Sequence, residues 1–150
     1  MHTPLAQNKP NFWLVKFAPF RTSWTEIVRR GTFTLRGVRN PAARANLAAM
    51  RMGDRVLFYH SQQELAVVGI MEVTRESYPD PVSADPRWLT CDFAPIRTLL
   101  RPIPLSEMKA DPRLPAFALI RQPRLAVMPV TTMEFQVIAD ELPMLPQTTA

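Results

Sequence analysis

Apolar segments with β character stand in both halves of this chain, and the helical segments between them differ widely in length. A parallel α/β sheet needs a regular alternation of strand and helix, and this order does not supply one. The pattern instead implies an α+β domain: a small, partly closed mixed β-barrel with helices packed on its outside.

The elements follow from local chemistry. Phe12–Phe17 is aromatic and β-branched and predicts the first strand. Ser23 with Glu26 three residues on is a capping-box signature, opening a helix through Arg30 that Gly31 closes. Residues 32–38 read as loop or irregular strand. Asn40 and Pro41 open a second helix, with Ala43, Leu47 and Met50 on one face, Asn40, Arg44 and Arg51 on another, and Gly53 at its end. Residues 54–60 and 66–75 predict a hairpin around a polar turn at 61–64. A proline-rich loop (78–87) leads to a strand over 88–97, short helices over 105–110 and 111–120, a strand over 125–130 and a closing helix over 131–141 with a threonine cap. No linker divides the chain, so one domain is expected over 12–141, with loosely held ends at 1–11 and 142–150.

Composition removes several functions. At 150 residues and 47% hydrophobic, the chain is long enough for one soluble domain. No apolar run approaches the roughly 20 residues of a membrane span, and the N-terminal stretch lacks the basic start and apolar core of a secretory signal. The one cysteine, Cys91, excludes an internal disulfide and reads as a buried thiol; a reducing, cytoplasmic location is expected. With His2 and His60 the only histidines, no metal-ligand cluster can be assembled. Four glycines, widely spaced, make no phosphate-cradling loop. No cofactor or metal is expected. The sixteen prolines are scattered, which suits pinned loops in a folded domain.

Charge is uneven. Residues 1–60 carry ten Lys and Arg against two Asp and Glu, while residues 61–100 carry three against six. Fifteen of the eighteen cations are arginine, whose planar fork suits phosphates and base edges. Such a half either forms one electropositive face for a polyanion or scatters over the surface as solubilising charge.

A series of short strings occurs in order along the chain. These are Trp13-Leu-Val-Lys16, Pro19, Ser23-Trp24, Gly37-Val38-Arg39-Asn40, Ala43-Arg44, Asn46-Leu47, Ala49-Met50, Gly53-Asp54, Phe58-Tyr59-His60-Ser61, Tyr78-Pro-Asp80, and Arg124-Leu125 followed by Val127-Met-Pro-Val130. Together they resemble the EVE domain, a branch of the PUA-like superfamily that includes the thymocyte nuclear protein family. The resemblance covers about residues 12–140. It implies a pseudobarrel fold and a non-enzymatic nucleic-acid binder, a reader of modified bases, chiefly modified cytosines, held after extrusion from the duplex. The partner is DNA or RNA, and the protein is expected to be a monomer or weak dimer away from membranes. The chain departs from the family pattern at Phe17, Ala18, Leu35, Pro41, Ala42 and Ala126, where polar groups or a stacking ring are usual.

Base and phosphate contacts are therefore expected from Lys16, Ser23, Trp24, Val38, Arg39, Asn40, Arg44, Tyr59, His60, Ser61 and Arg124. Each has a plainer reading. Asn40 is a helix cap or an amide that pairs with a base edge. His60 is a structural residue or a hydrogen-bonding group at a pocket rim, and it has no visible nucleophile or carboxylate for catalysis. Ser61 starts a turn or bonds a base. Trp24 is core or a stacking wall, and Trp13 is core. Arg124 takes a structural carboxylate or a ligand phosphate. Tyr78-Pro-Asp80 reads as a rigid turn. Two further functions compete with base reading: a protein-interaction adaptor whose base pocket has decayed, and an enzyme acting on nucleic acid.

Overall fold

The computed structural model describes residues 10–141. In chain order these form β1 (Phe12–Phe17), α1 (Trp24–Arg30), β2 (Phe33–Thr34), α2 (Pro41–Ala49), β3 (Arg55–His60), β4 (Ala66–Pro79), β5 (Leu89–Pro104), α3 (Leu105–Ala110), α4 (Ala118–Arg121), β6 (Val127–Val130) and α5 (Thr132–Ala139). The fold is α+β and PUA-like. Its six strands form one sheet in the order β2-β5-β4-β3-β1-β6, with β2 and β6 as its two edges. The expected barrel is thus a pseudobarrel whose hydrogen-bond ladder stays open.

The neighbours β1 and β3 are parallel and every other pairing is antiparallel. Alternation along β1 and β3 puts Trp13, Val15 and Phe17 with Val56, Phe58 and His60 on one face. On that face the Phe33 ring meets both Phe17 and Phe58 edge-on, at centroid distances of 5.1 and 5.5 Å. Trp24 arrives from α1 and lies against Phe58. Gly69 on β4 makes room for it, because a Cβ there would overlap the indole ring.

Buried polar groups hold the ends of this core. Asp54 accepts from the Trp13 indole at 2.9 Å and from the backbone N–H groups of Asn11 and Arg51. Asn11 also accepts from the Arg55 N–H, so residues 10 and 11 are tied to the domain. The remaining residues of the expected tails, 1–9 and 142–150, lie outside the described residues.

Several boundaries differ from the sequence expectation, each for a physical reason. Ser23 caps α1 through the Glu26 N–H, but the Glu26 carboxylate turns to Arg29 and Arg30, so the reciprocal half of the box is missing. Helix α2 stops at Ala49, short of Gly53, because Asp54 captures the Arg51 N–H and forces a turn. Strands β4 and β5 run well past residues 75 and 97, and Tyr78 and Pro79 belong to β4; four register shifts absorb the irregularities of this long pairing. The segment 111–120 is helical only from Ala118, since Pro112 and Pro115 withdraw backbone donors. Gln122 and Leu125 form a turn before β6, so that strand starts at Val127.

Candidate nucleic-acid interface

Asn40 and Arg124, 84 positions apart, line one open cleft of about 420 Å³ together with Ala42, Gln122, Pro123 and Leu125. One wall is the N-terminus of α2, where Asn40 Oδ1 accepts from the Ala43 N–H at 3.0 Å. The Asn40 side chain is therefore the cap, and its amide Nδ2, on an exposed residue, bonds to nothing among the described residues. The opposite wall is the 122–125 turn. Two contacts fix its position: the Lys16 ammonium donates to the Pro123 carbonyl, and Asn46 Nδ2 donates to the Val127 carbonyl at 2.7 Å. Arg124 is exposed and, among the described residues, donates to no carboxylate. The cleft is apolar at Ala42, Pro123 and Leu125 and polar at a few points, the usual make-up of a small-ligand site.

Arg39 and Arg44 are brought together elsewhere, around Trp88. Their guanidinium carbons lie 5.8 and 5.4 Å from the Trp88 ring centroid. Arg39 is also held 3.3 Å from the Asp80 carboxylate, which accepts from the Gly37 and Val82 N–H groups as well. Burial alone would raise the Asp80 pKa, but these hydrogen bonds and the Arg39 charge hold it below the usual carboxylate value. Trp88 is half-buried and serves as a platform for cations. Asp80 is more than a turn residue, because it fixes the backbone on which Gly37, Arg39 and Asn40 sit. Nothing in the residue spacing around Asp80 or Trp88 points to either role.

The other expected contacts are drawn inward or apart. Trp24 is buried, donating its backbone N–H to His60 Nε2 at 3.1 Å and its indole N–H to Thr98 Oγ1 at 2.8 Å. It is a core residue, like Trp13, and its ring does not line the Asn40–Arg124 cleft. His60 is buried and bridges Trp24 to Glu64, so its hydrogen bonds are structural. With Ser23 it edges a separate cleft of about 360 Å³. Ser61 donates its N–H to the Phe17 carbonyl and starts the turn. Val38 is buried beneath the Gly37–Asn40 segment.

Tyr59 is buried on the Lys16 face of the sheet, where burial pushes its phenol up to about 12 and lowers the Lys16 ammonium. Cys91 is a buried thiol pushed up to about 12 by burial, with Leu47 O as acceptor. Among the described residues no three of His, Cys, Asp and Glu gather as a metal-ligand group.

The departures from the family pattern have a clear structural outcome. Phe17, Ala18 and Leu35 are all buried, Leu35 to 2% exposure, and fill their positions with hydrocarbon. Ala126 is half-buried against the core, and its carbonyl accepts from the Lys16 N–H.

Residues 11–141 match the EVE domain family. The chain belongs to that family. It is similar to thymocyte nuclear protein 1 of Mus musculus, 31% identical over an alignment of 166 positions that covers 88% of this chain and 74% of the relative. Against the Gallus gallus relative, the matched region is 52% of that protein's length, so parts of these relatives have no counterpart in the match. Among solved structures, protein Atu2648 from Agrobacterium tumefaciens shares 38% identity with a TM-score of 0.85, covering 87% of this chain and 92% of that one. The human THYN1 protein in complex with 5-methylcytosine containing DNA shares 28% identity with a TM-score of 0.79, covering 91% and 99%.

Proposed function

We propose that this EVE domain binds nucleic acid and reads a modified cytosine in DNA, without catalysing a reaction on it. The observation that carries the reading is the convergence of Asn40 and Arg124 on one open cleft at a helix N-terminus. An exposed amide can donate to a base edge, a free guanidinium can take a base edge or phosphate, and Ala42, Pro123 and Leu125 supply apolar contact for a methylated ring. The human relative bound to 5-methylcytosine containing DNA names the ligand class. Reaching a base inside a duplex requires extrusion, which costs a few kcal/mol and has to be repaid by such a pocket. Arg39 and Arg44, both held near the Trp88 ring beside α2, supply phosphate attraction that does not depend on sequence. RNA carrying a modified base offers the same chemistry, and a reducing, cytoplasmic setting suits the buried Cys91 thiol. A monomer or weak dimer suffices, because the cleft is built from one chain.

The test is a titration of the protein with two duplexes of one sequence, one carrying a single 5-methylcytosine. Tighter binding of the methylated duplex, lost in Arg124→Ala with the melting temperature unchanged, supports the reading. Equal binding of both duplexes rejects it.

A second reading is favoured by the burial of Phe17, Ala18 and Leu35: the pocket has closed and the domain is a protein-interaction adaptor. Phe20, 65% exposed beside these residues, would then be part of the docking surface. That reading expects no DNA binding at any modification state.

A further inference from the structure

A second concave site is built around arginines that lie outside the family's strings. Arg21 from the loop after β1, Arg30 from the end of α1 and Arg36 from the loop after β2 surround a cleft of about 290 Å³. Three threonines, Thr22, Thr32 and Thr34, complete its polar lining, and none of the lining residues is acidic. Three guanidinium groups from three separate elements therefore face one hollow.

The state of these cations distinguishes the site from a scatter of surface charge. Eight of the fifteen arginines are paired with carboxylates in the described structure. Arg30 is one of them, bound through Nε to Glu26 at 2.6 Å. Arg21 and Arg36 have no carboxylate among the described residues. The Arg21 guanidinium carbon lies over the Phe17 ring, 4.3 Å from its centroid, and the side chain reaches only the Arg36 carbonyl, at 3.5 Å, among the described residues. Its guanidinium is thereby oriented without being neutralised. Asp92, opposite Thr34 in the β2–β5 pairing, is engaged by Thr34 and Tyr78. An anion entering the cleft would meet positive charge that is already positioned, and planar guanidinium forks match phosphate oxygens better than point charges do.

We propose that this arginine cleft is a phosphate site that holds the sugar–phosphate backbone of the strand whose base enters the Asn40–Arg124 cleft. The proposal rests on the base-reading function for the identity of the strand. Chain geometry links the two sites. Arg36 and Asn40 are four residues apart, so their Cα atoms are separated by at most about 14 Å. At about 3.4 Å of rise per nucleotide, a phosphate within roughly four nucleotides of the extruded base falls in reach. The intervening Gly37, at φ +85°, is pinned by its N–H bond to Asp80, which fixes the offset between the clefts. Phe17 also gains a role: it is the platform that presents Arg21 to the phosphate.

The experiment measures binding of the methylated and plain duplexes across a range of salt for the wild type, Arg36→Ala and Arg36→Lys. Arg36 is exposed and its side chain bonds to nothing among the described residues, so thermal melting should be unchanged. Loss of one phosphate contact should weaken Arg36→Ala by roughly fivefold to tenfold at about 0.1 M salt, equally for both duplexes. It should also lower the slope of log K against log salt by about 0.9, while Arg36→Lys keeps the slope. Arg36→Glu, which reverses the charge, should bind more weakly still. An unchanged slope and affinity in both Arg36→Ala and Arg36→Glu overturns the phosphate site and leaves base reading standing. A change confined to the methylated duplex also overturns it, since a backbone contact is blind to the base. If the wild type binds both duplexes equally but Arg36→Ala still loses slope, the phosphate site stands and base reading falls. No DNA binding by the wild type ends both.

Discussion

Arg39 reaches across 41 positions to Asp80, whose side chain is fully buried and gathers the Arg39 guanidinium with the N–H groups of Gly37 and Val82. Through that one carboxylate, the loop after β4 sets the backbone between the two clefts. Arg39 is itself 40% exposed, so its ion pair contributes at most about 1 kcal/mol. The two backbone donors matter more, because hydrogen bonds to a charged acceptor contribute about 1.5–3 kcal/mol.

Asp80→Asn should therefore destabilise the domain by about 2 kcal/mol at neutral pH, measured by chemical denaturation. The pH dependence has a definite sign. The folded-state pKa of Asp80 lies below its unfolded value, so its stabilisation is fully present above the ordinary carboxylate value of about 3.9. It is lost as pH falls from there through the lowered folded value. The gap between wild type and Asp80→Asn should be constant near neutrality and narrow below about pH 4. A gap that stays constant down to acid denaturation would show that the charge of Asp80 is not what is being lost.

Much of this architecture was legible from short-range chemistry. The caps Ser23, Asn40 and Thr131, the left-handed Gly31 and the Ala43–Leu47–Met50 face all sit where local patterns put them. Long-range pairing was not legible: β4 and β5 extend each other far beyond their apolar stretches because each supplies the other's backbone partners. The same division holds for the site. Asn40 and Arg124 carried a signal in their own strings, but nothing local marks Asp80, Trp88 or the trio Arg21, Arg30 and Arg36. Their roles arise only when separate loops meet. His60 and Trp24 show the converse: polar handles that suggest a binding rim are engaged within the domain, His60 Nε2 accepting the Trp24 backbone N–H and the Trp24 indole donating to Thr98.

The contact between Gly69 and Trp24 makes a sharp test of that core. A Cβ at Gly69 would overlap the six-membered ring of the indole, which cannot move without breaking its bond to Thr98. Gly69→Ala should cost about 1–3 kcal/mol by overpacking and shift tryptophan fluorescence as the indole is displaced. An unperturbed spectrum and melting temperature would mean that the ring is looser than its packing indicates.

Tyr59 offers an alkaline counterpart. Burial raises its phenol to about 12, so the folded state holds the proton while the unfolded phenol ionises near 10. Its effect on stability should be absent below about pH 10 and destabilising as pH climbs from there toward about 12. The chain has only two tyrosines, Tyr59 and Tyr78, so ultraviolet titration of Tyr59→Phe against wild type isolates the step. A Tyr59 phenol titrating near 10 in the folded protein would place it in water.

Asn40 is where structure and binding can be pulled apart. Its side-chain oxygen caps α2 through the Ala43 N–H, while its amide nitrogen borders the cleft shared with Arg124. Serine caps helices about as well as asparagine, whereas alanine in place of a good cap costs about 1 kcal/mol. Asn40→Ala should therefore lower both stability and binding, and a loss of binding there has two explanations. Asn40→Ser separates them. It should keep the wild-type melting temperature, yet lose the preference for the methylated duplex, because the shorter serine hydroxyl, engaged as the cap, leaves no donor where the amide Nδ2 stands. Retained preference in Asn40→Ser, measured beside a stable fold, would reduce Asn40 to a cap and move base recognition onto Arg124 alone.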